Sequence, residues 1–305
     1  MTRTPVPGAA PVSRTNNGRL GLAYMFVGFS MFGAADAIAK VLTQTLEPVQ
    51  IVWGRQSGLL LGIVLIVAVQ GVKVLKTTQP KLQITRGVLA ASSAILFVTA
   101  VAYVPLAEAV ALTFVAPFMV TIMGAVFLKE HVGLRRWSAV LVGFFGTMIV
   151  IRPGLGVLHP AAFLLIIAAT AFALRQILSR VLVGGDSVMT TVAYTAIVSW
   201  CLLCIPLPFF WQTPATTQEW VLLVALGLLA AVGETLVIMA LGVAQAVIVA
   251  PVQYVLIIWG TLYGFLIFGQ LPDFWTIVGA AIIVATGLYV FHRERLASRT
   301  EPDLA

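Results

Sequence analysis

The sequence predicts an all-α membrane protein of ten transmembrane helices, arranged as two inverted five-helix repeats around a central cavity. Three observations predict it: an apolar content too high for water, ten apolar runs, and a likeness between the two halves. Of 305 residues, 60% are hydrophobic and 10% charged, with a mean hydropathy of +1.04. An ordinary soluble domain is about 45–50% apolar and about 25% charged. A globule of this size needs more charge than that to cover its surface. The composition therefore excludes soluble enzymes, nucleic-acid binders and secreted disulfide scaffolds.

Residues 1–18 hold three prolines, Arg3 and Arg14, and read as a disordered cytoplasmic tail rather than a signal peptide. Ten apolar runs follow, at 20–43, 48–70, 82–103, 105–128, 137–152, 160–182, 188–211, 218–242, 245–269 and 272–292. A helix needs about 20 apolar residues to cross the roughly 30 Å hydrocarbon core, and the fifth run is the shortest of these. Pro48, Pro105, Pro160 and Pro272 open runs, where a missing N–H leaves nothing unsatisfied. The connections are mostly under ten residues, which leaves no room for an inserted soluble domain. Cys201 and Cys204, one helical turn apart in the seventh run, read as packing residues; no companion Cys or His cluster suggests a metal or cofactor.

The net charge of +7 could suggest a nucleic-acid partner, but its placement does not. Lys and Arg punctuate the apolar runs, as expected where cytoplasmic loops are positive. With the N-terminus inside, fourteen of the 18 fall on one side, from Arg3, Arg14 and Arg19 through Lys73, Lys76, Lys81 and Arg86 to Arg299. Lys40 and Arg152 fall on the other, and Arg55 and Arg175 within runs. That asymmetry predicts a multi-pass protein of the cytoplasmic membrane with both termini in the cytoplasm.

The halves match at a spacing of about 140 residues: Lys40-Val41-Leu42 with Arg180-Val181-Leu182, and Phe127-Leu128-Lys129-Glu130 with Ile267-Phe268-Gly269-Gln270. Residues 19–152 form the first repeat, 153–292 the second, and 293–305 a C-terminal cytoplasmic tail. Five runs per half is an odd number, so the second copy enters the bilayer upside down. Secondary transporters use this plan, with the site near the midplane where the repeats meet.

The stretch Pro105-Leu106-Ala107-Glu108-Ala109-Val110-Ala111-Leu112-Thr113-Phe114-Val115-Ala116-Pro117, with Leu128-Lys129-Glu130 and Gly143 to Gly146, resembles the first repeat of the drug/metabolite transporter superfamily, EamA type. Ala250-Pro251-Val252-Gln253-Tyr254, then Phe268 to Asp273 and Gly279 to Gly287, resembles its second repeat. Gln270 departs from the Glu common there. The resemblance implies a cavity open alternately to either side and transport of small organic solutes. Length and layout are similar to those of bacterial aromatic amino-acid exporters. Export of amino acids or related metabolites is the leading expectation. Import or exchange of an S-adenosylmethionine-like, nucleotide-sugar-like or drug solute is the alternative, and a passive pore a third.

Charged side chains inside a membrane must be paired or line water, because each costs roughly 2.5–3.5 kcal/mol at a helix centre. Asp36 and Lys40 stand four apart on one helical face, with Arg55 at similar depth. They are a self-neutralising structural pair, a charged lining that meets an amino-acid-like substrate, or, for Asp36, a proton-coupling group. Thr113, Pro117, Gln253, Tyr254 and Trp259 join them as cavity candidates, with Pro251 beside them. Pro117, in mid-run, removes a backbone hydrogen bond, which is tolerated where the backbone is covered by protein or lines water. Arg175 and Glu234 are natural partners, as a structural tie or as a gate. Glu108 and Gln245 read as interfacial, and the small residues at Gly33, Gly143, Gly146 and Gly279 as helix packing. No catalytic residue is predicted. Asp36 is the single Asp deep within a run, since Asp273 stands at the start of the tenth; His131, His159 and His292 lie at or beside run ends, and neither HExxH nor GxxxxGK[ST] occurs. The expected partners are a small-molecule substrate and the bilayer. A monomer is the expected unit, although no residue of the sequence specifies the oligomeric state.

Overall fold

The computed structural model describes residues 17–129, 133–152, 159–182, 186–244 and 246–300. Arg3, Arg14, Glu130, His131 and Gln245 lie outside the described residues, as does the tail up to residue 16. All regular structure among the described residues is helical: α1 (Gly18–Leu42), α2 (Pro48–Gln70), α3 (Pro80–Val101), α4 (Leu106–Thr113), α5 (Ala116–Phe127), α6 (Leu134–Ile151) and α7 (Ala162–Leu182) come first. Then follow α8 (Val188–Cys204), α9 (Leu207–Phe210), α10 (Thr217–Val243), α11 (Ala246–Val249), α12 (Val255–Phe268) and α13 (Phe274–Thr300), with short 3-10 turns at Val72–Leu75 and Ala250–Tyr254.

Every predicted run is helical, but the runs are not equal. Seven segments among the described residues are long and apolar enough to cross a membrane. Three further apolar helices, Trp137–Ile151, Val188–Cys204 and Phe274–Tyr289, are shorter. The fourth and ninth runs are interrupted, and the seventh ends at Cys204, where Pro206 follows. α13 continues through residue 300, because nothing between 293 and 300 breaks a helix.

The exterior is apolar. Leu65, Phe145, Ile258 and Leu266 are each at least 60% exposed, a distribution that suits lipid rather than water. The interior instead admits polar groups: Gln50, Gln83 and Ser199 are fully buried, and each is hydrogen-bonded. Glycines set the closest crossings. Gly58 of α2 lies on the backbone of Gly227 in α10, where a methyl group would stand 2.0 Å from the carbonyl oxygen. Gly146 and Gly279 meet in the same way between α6 and α13.

The packing partners form matched pairs. α1 packs on α10, and α7 on α3; α2 packs on α10, and α8 on α3; α1 packs on α12, and α7 on α5. α2 with α8, α6 with α13 and α4 with α12 complete the bundle. Its two ends are tied by hydrogen bonds. At one end Gln50 grips the backbone of Gln212 from both sides at 2.8 and 2.9 Å, and Arg152 meets Asp273 at 2.5 Å. At the other, Asp186 bridges to Thr78 and Gln83, and Asn17 donates to the Val243 carbonyl.

Candidate functional site

The two interrupted runs meet inside the bundle. Pro117 has no N–H, so the Thr113 carbonyl loses its helical donor, and α4 ends in tight turns at Phe114 and Val115. Pro251 does the same to the ninth run, whose backbone tightens into the 3-10 turn holding Gln253 and Tyr254. The Phe114 and Tyr254 rings stack with centroids 4.8 Å apart. The Tyr254 hydroxyl is buried without a hydrogen-bond partner and faces Gly287, where a methyl group would stand 1.7 Å away. Thr113, Pro117 and Gln253 are half-buried beside this junction, and the Thr113 hydroxyl donates to Val110. Pro251 and Tyr254 also line an open apolar groove with Phe26 and Ile258.

Asp36 does not pair along its own helix. Its carboxylate accepts from Arg55 of α2 at 3.1 Å, and the Arg55 guanidinium lies 5.8 Å from the centre of the Phe32 ring. Lys40 instead turns away and donates to the carbonyls of Val101 (2.9 Å) and Val104 (2.6 Å), while 5.2 Å from the Phe268 ring. Val101 ends α3, where backbone acceptors have no intrahelical donor, and Val104 lies in the turn just beyond it. A buried ammonium there offsets the negative end of the helix dipole. Trp259 ties α12 to α1: its indole N–H donates to Ser30 at 2.9 Å, its ring stacks on Tyr263, and its Cβ presses on Gly33. A second tie of the same chemistry joins α8 to α2, from Trp200 to Ser57 at 2.9 Å.

Arg175 and Glu234 are not in contact. Each lies in the other's electrostatic field, but no ion pair within 4 Å joins them. The Arg175 guanidinium rests 4.7 Å from the centre of the Phe172 ring, and its Nε is screened from solvent without a hydrogen-bond partner. Arg86 completes this cluster. The charge count groups it with the cytoplasmic connections although the run 82–103 contains it, and it lies inside α3 and donates to Ser179 (2.8 Å), Thr195 and the Thr191 carbonyl. Its distance from Pro80, the helix start, was the available signal: six residues inward is more than one turn. Glu108, expected to be interfacial, is 5% exposed, with one carboxyl oxygen unpartnered.

The cytoplasm-assigned connections form a polar knot. Asp186 accepts from the Thr77 hydroxyl, from the Thr78 N–H (2.9 Å) and hydroxyl (3.0 Å), and from Gln83 (2.8 Å). Hydrogen bonds from Thr77, then Thr78 and Gln83, hold its carboxyl well below the usual range, at about 2. The structure thus brings Asp36 to Arg55, and Tyr254 to the turn beyond Thr113. It separates Lys40 from Asp36 and leaves Arg175 open. No group of three potential metal ligands occurs among the described residues.

Comparison with known proteins places this architecture in context. A profile of the EamA-like transporter family matches twice, at residues 19–152 and 159–291. The chain is 26% identical to an S-adenosylmethionine uptake transporter of Rickettsia bellii over 91% of its own length and 95% of the relative's. It is 33% identical to a riboflavin transporter of Vibrio cholerae, covering 76% of this chain and 78% of that one. A pseudopaline exporter of Pseudomonas aeruginosa is 28% identical, over 83% and 89% of the two chains. A crystal structure of another protein superimposes with a TM-score of 0.62 over 90% of this chain and 98% of the other, at 16% identity, a likeness of fold alone. These relatives are named as transporters, not as enzymes.

Proposed function

The chain belongs to the EamA-like transporter family, and on that premise we propose a secondary transporter that carries a small organic solute across the cytoplasmic membrane by alternating access. In this reading ten segments form two inverted five-helix repeats, 19–152 and 153–292, around a central cavity, with both termini in the cytoplasm. One observation carries it: two segments at corresponding places are broken at Pro117 and Pro251, and their breaks stack through Phe114 and Tyr254. Irregular backbone inside a membrane bundle is tolerated where protein covers it or where it lines water. Discontinuous helices at the meeting of two repeats are where transporters build their sites.

The matched packing pairs support the repeat. Exchanging each segment for the one five runs later converts α1 on α10 into α7 on α3, and α1 on α12 into α7 on α5. The charge asymmetry of the connections supports the orientation. Asp36, Lys40, Arg55, Thr113, Pro117, Gln253, Tyr254 and Trp259 are the cavity candidates. Arg175 and Glu234, apart here, are a gate pair that closes in another state. The working unit is a monomer.

The leading solute is an amino acid or related metabolite, moved outward. A second reading, uptake of a metabolite such as S-adenosylmethionine or riboflavin, is favoured by the names of two relatives. The test is flux of a radiolabelled panel into proteoliposomes holding the purified chain, with and without a proton gradient. Saturable amino-acid flux, stimulated by unlabelled amino acid on the far side, supports the leading reading. Flux confined to other metabolites transfers the assignment to the second. Flux that neither saturates nor responds to the far side identifies a pore and rejects the carrier.

A further inference from the structure

The interior charges do not balance. Arg175 lies in the field of Arg55, Arg86 and Glu234, and Arg86 in that of Glu234. Asp36 is the other acid of this set, paired with Arg55. Three guanidiniums against two carboxylates leave one formal positive charge. Its location is fixed by the bonding: Arg55 has Asp36, and Arg86 has two hydroxyls and a carbonyl, whereas Arg175 has no hydrogen bond or close ion pair among the described residues. An uncompensated cation inside an apolar bundle is expensive, and intramembrane ionisable groups mark ligand paths when no structural partner accounts for them. Arg is also the side chain whose planar fork matches a carboxylate in two parallel hydrogen bonds.

We propose that Arg175 is the anchor for the carboxylate of the carried solute, so that the site takes monocarboxylates, including zwitterions, in preference to neutral or cationic analogues. This deepens the carrier reading and rests on it. The Phe172 ring holds the guanidinium from one face, which leaves its edge free to donate. α7, which carries it, packs on α3, α4 and α5, whereas α1, bearing Asp36, packs on α10 and α12. Arg175 of α7 and Arg55 of α2 repel each other through space. A single negative charge neutralises the excess, and a dianionic phosphate would overshoot it. Glu234, the nearby acid out of contact, is placed to take Arg175 when the solute leaves.

The test compares four aryl probes on the purified full-length protein in lipid nanodiscs: 3-phenylpropionate, 3-phenylpropionamide and phenethylamine, which share a phenethyl skeleton, and phenyl phosphate. Binding is read from the shift in thermal unfolding midpoint as probe concentration rises. The carboxylate should bind, with the amide and the amine weaker by about tenfold or more, the factor expected when a charge-assisted hydrogen bond is lost. Arg175→Gln should abolish that preference, and Arg175→Lys should restore part of it, a rescue that a purely structural role does not predict. The inference is overturned if the amide or amine matches the acid, if phenyl phosphate exceeds it, if Arg175→Gln keeps the preference, or if no probe binds. The comparison of probes on the unaltered chain holds even if a variant fails to fold. Flux separates the two layers. Carboxylate-dependent binding without far-side-stimulated flux removes the carrier and leaves the anchor. Saturable, far-side-stimulated flux indifferent to the carboxylate leaves the carrier and removes the anchor.

Discussion

Arg55 and Arg175 lie in the same apolar bundle and are held quite differently. Arg55 sits 3.1 Å from an acid on the neighbouring helix, and both side chains are largely screened from solvent, at 20% and 12% exposure. Arg175 has an aromatic ring for a neighbour and an acid that stays out of reach. The first arrangement is complete in itself, and the second is complete only when something else arrives. A charge within a membrane span is therefore not one kind of signal. The partner, supplied by a different helix, decides whether it holds the fold or waits for a ligand.

Breaking the complete pair should cost most. Asp36→Ala leaves Arg55 buried and uncompensated, a loss of about 3–5 kcal/mol for such pairs. It should appear as reduced yield and a lower unfolding midpoint in detergent. Adding Arg55→Met should recover most of that loss, because removing both partners of a buried pair is often nearly neutral. The helix that carries Arg55 offers the next test. Gly58→Ala drives a methyl group onto the Gly227 backbone, and overpacking of this kind costs about 1–3 kcal/mol. The same midpoint measurement should show it, with cross-linking between α2 and α10 altered. Arg175→Met should be mild by contrast, within about 1 kcal/mol or stabilising, since no acid is left unpaired. A midpoint drop as large as that of Asp36→Ala would erase the distinction between the two arginines.

The smallest effect is expected at Asp186, outside the spans. Its carboxyl titrates at about 2 in the folded chain, below the ordinary 3.8. Its contribution is thus fully present above about 4 and is lost as pH falls through about 2. Between pH 7 and pH 5 hydrogen exchange in residues 77–83, corrected for intrinsic rate, should not change. Asp186→Asn should speed it at both values.

Composition and periodicity located the helices well, because burial in lipid writes long apolar runs into the chain. The missing N–H located the break at Pro117; Pro251, named only as a cavity candidate, breaks the ninth run for the same reason. Spacing along one helix could not reveal that Asp36 reaches α2, since the i,i+4 rule describes a single helix and the competing partner lies 19 residues away. Lys40 shows the same limit. Its acceptors are carbonyls 61 and 64 residues on, and backbone acceptors carry no residue-type signature at all. Arg86 was hidden by a boundary: a helix read as starting at 82 leaves it near the surface, and one that starts at Pro80 draws it inward. Ser30 and Ser57, which receive the two indole ties, gave no signal because a serine in an apolar run more often bonds its own helix.

The contact between Phe114 and Tyr254 has a mechanical meaning. Two stacked rings, tilted by 29°, slide over one another without rupturing a directional bond, so this junction resists separation yet yields to shear. A bearing of that sort, set where both chain halves lose their helical regularity, would make either half drag the other along as it tilts.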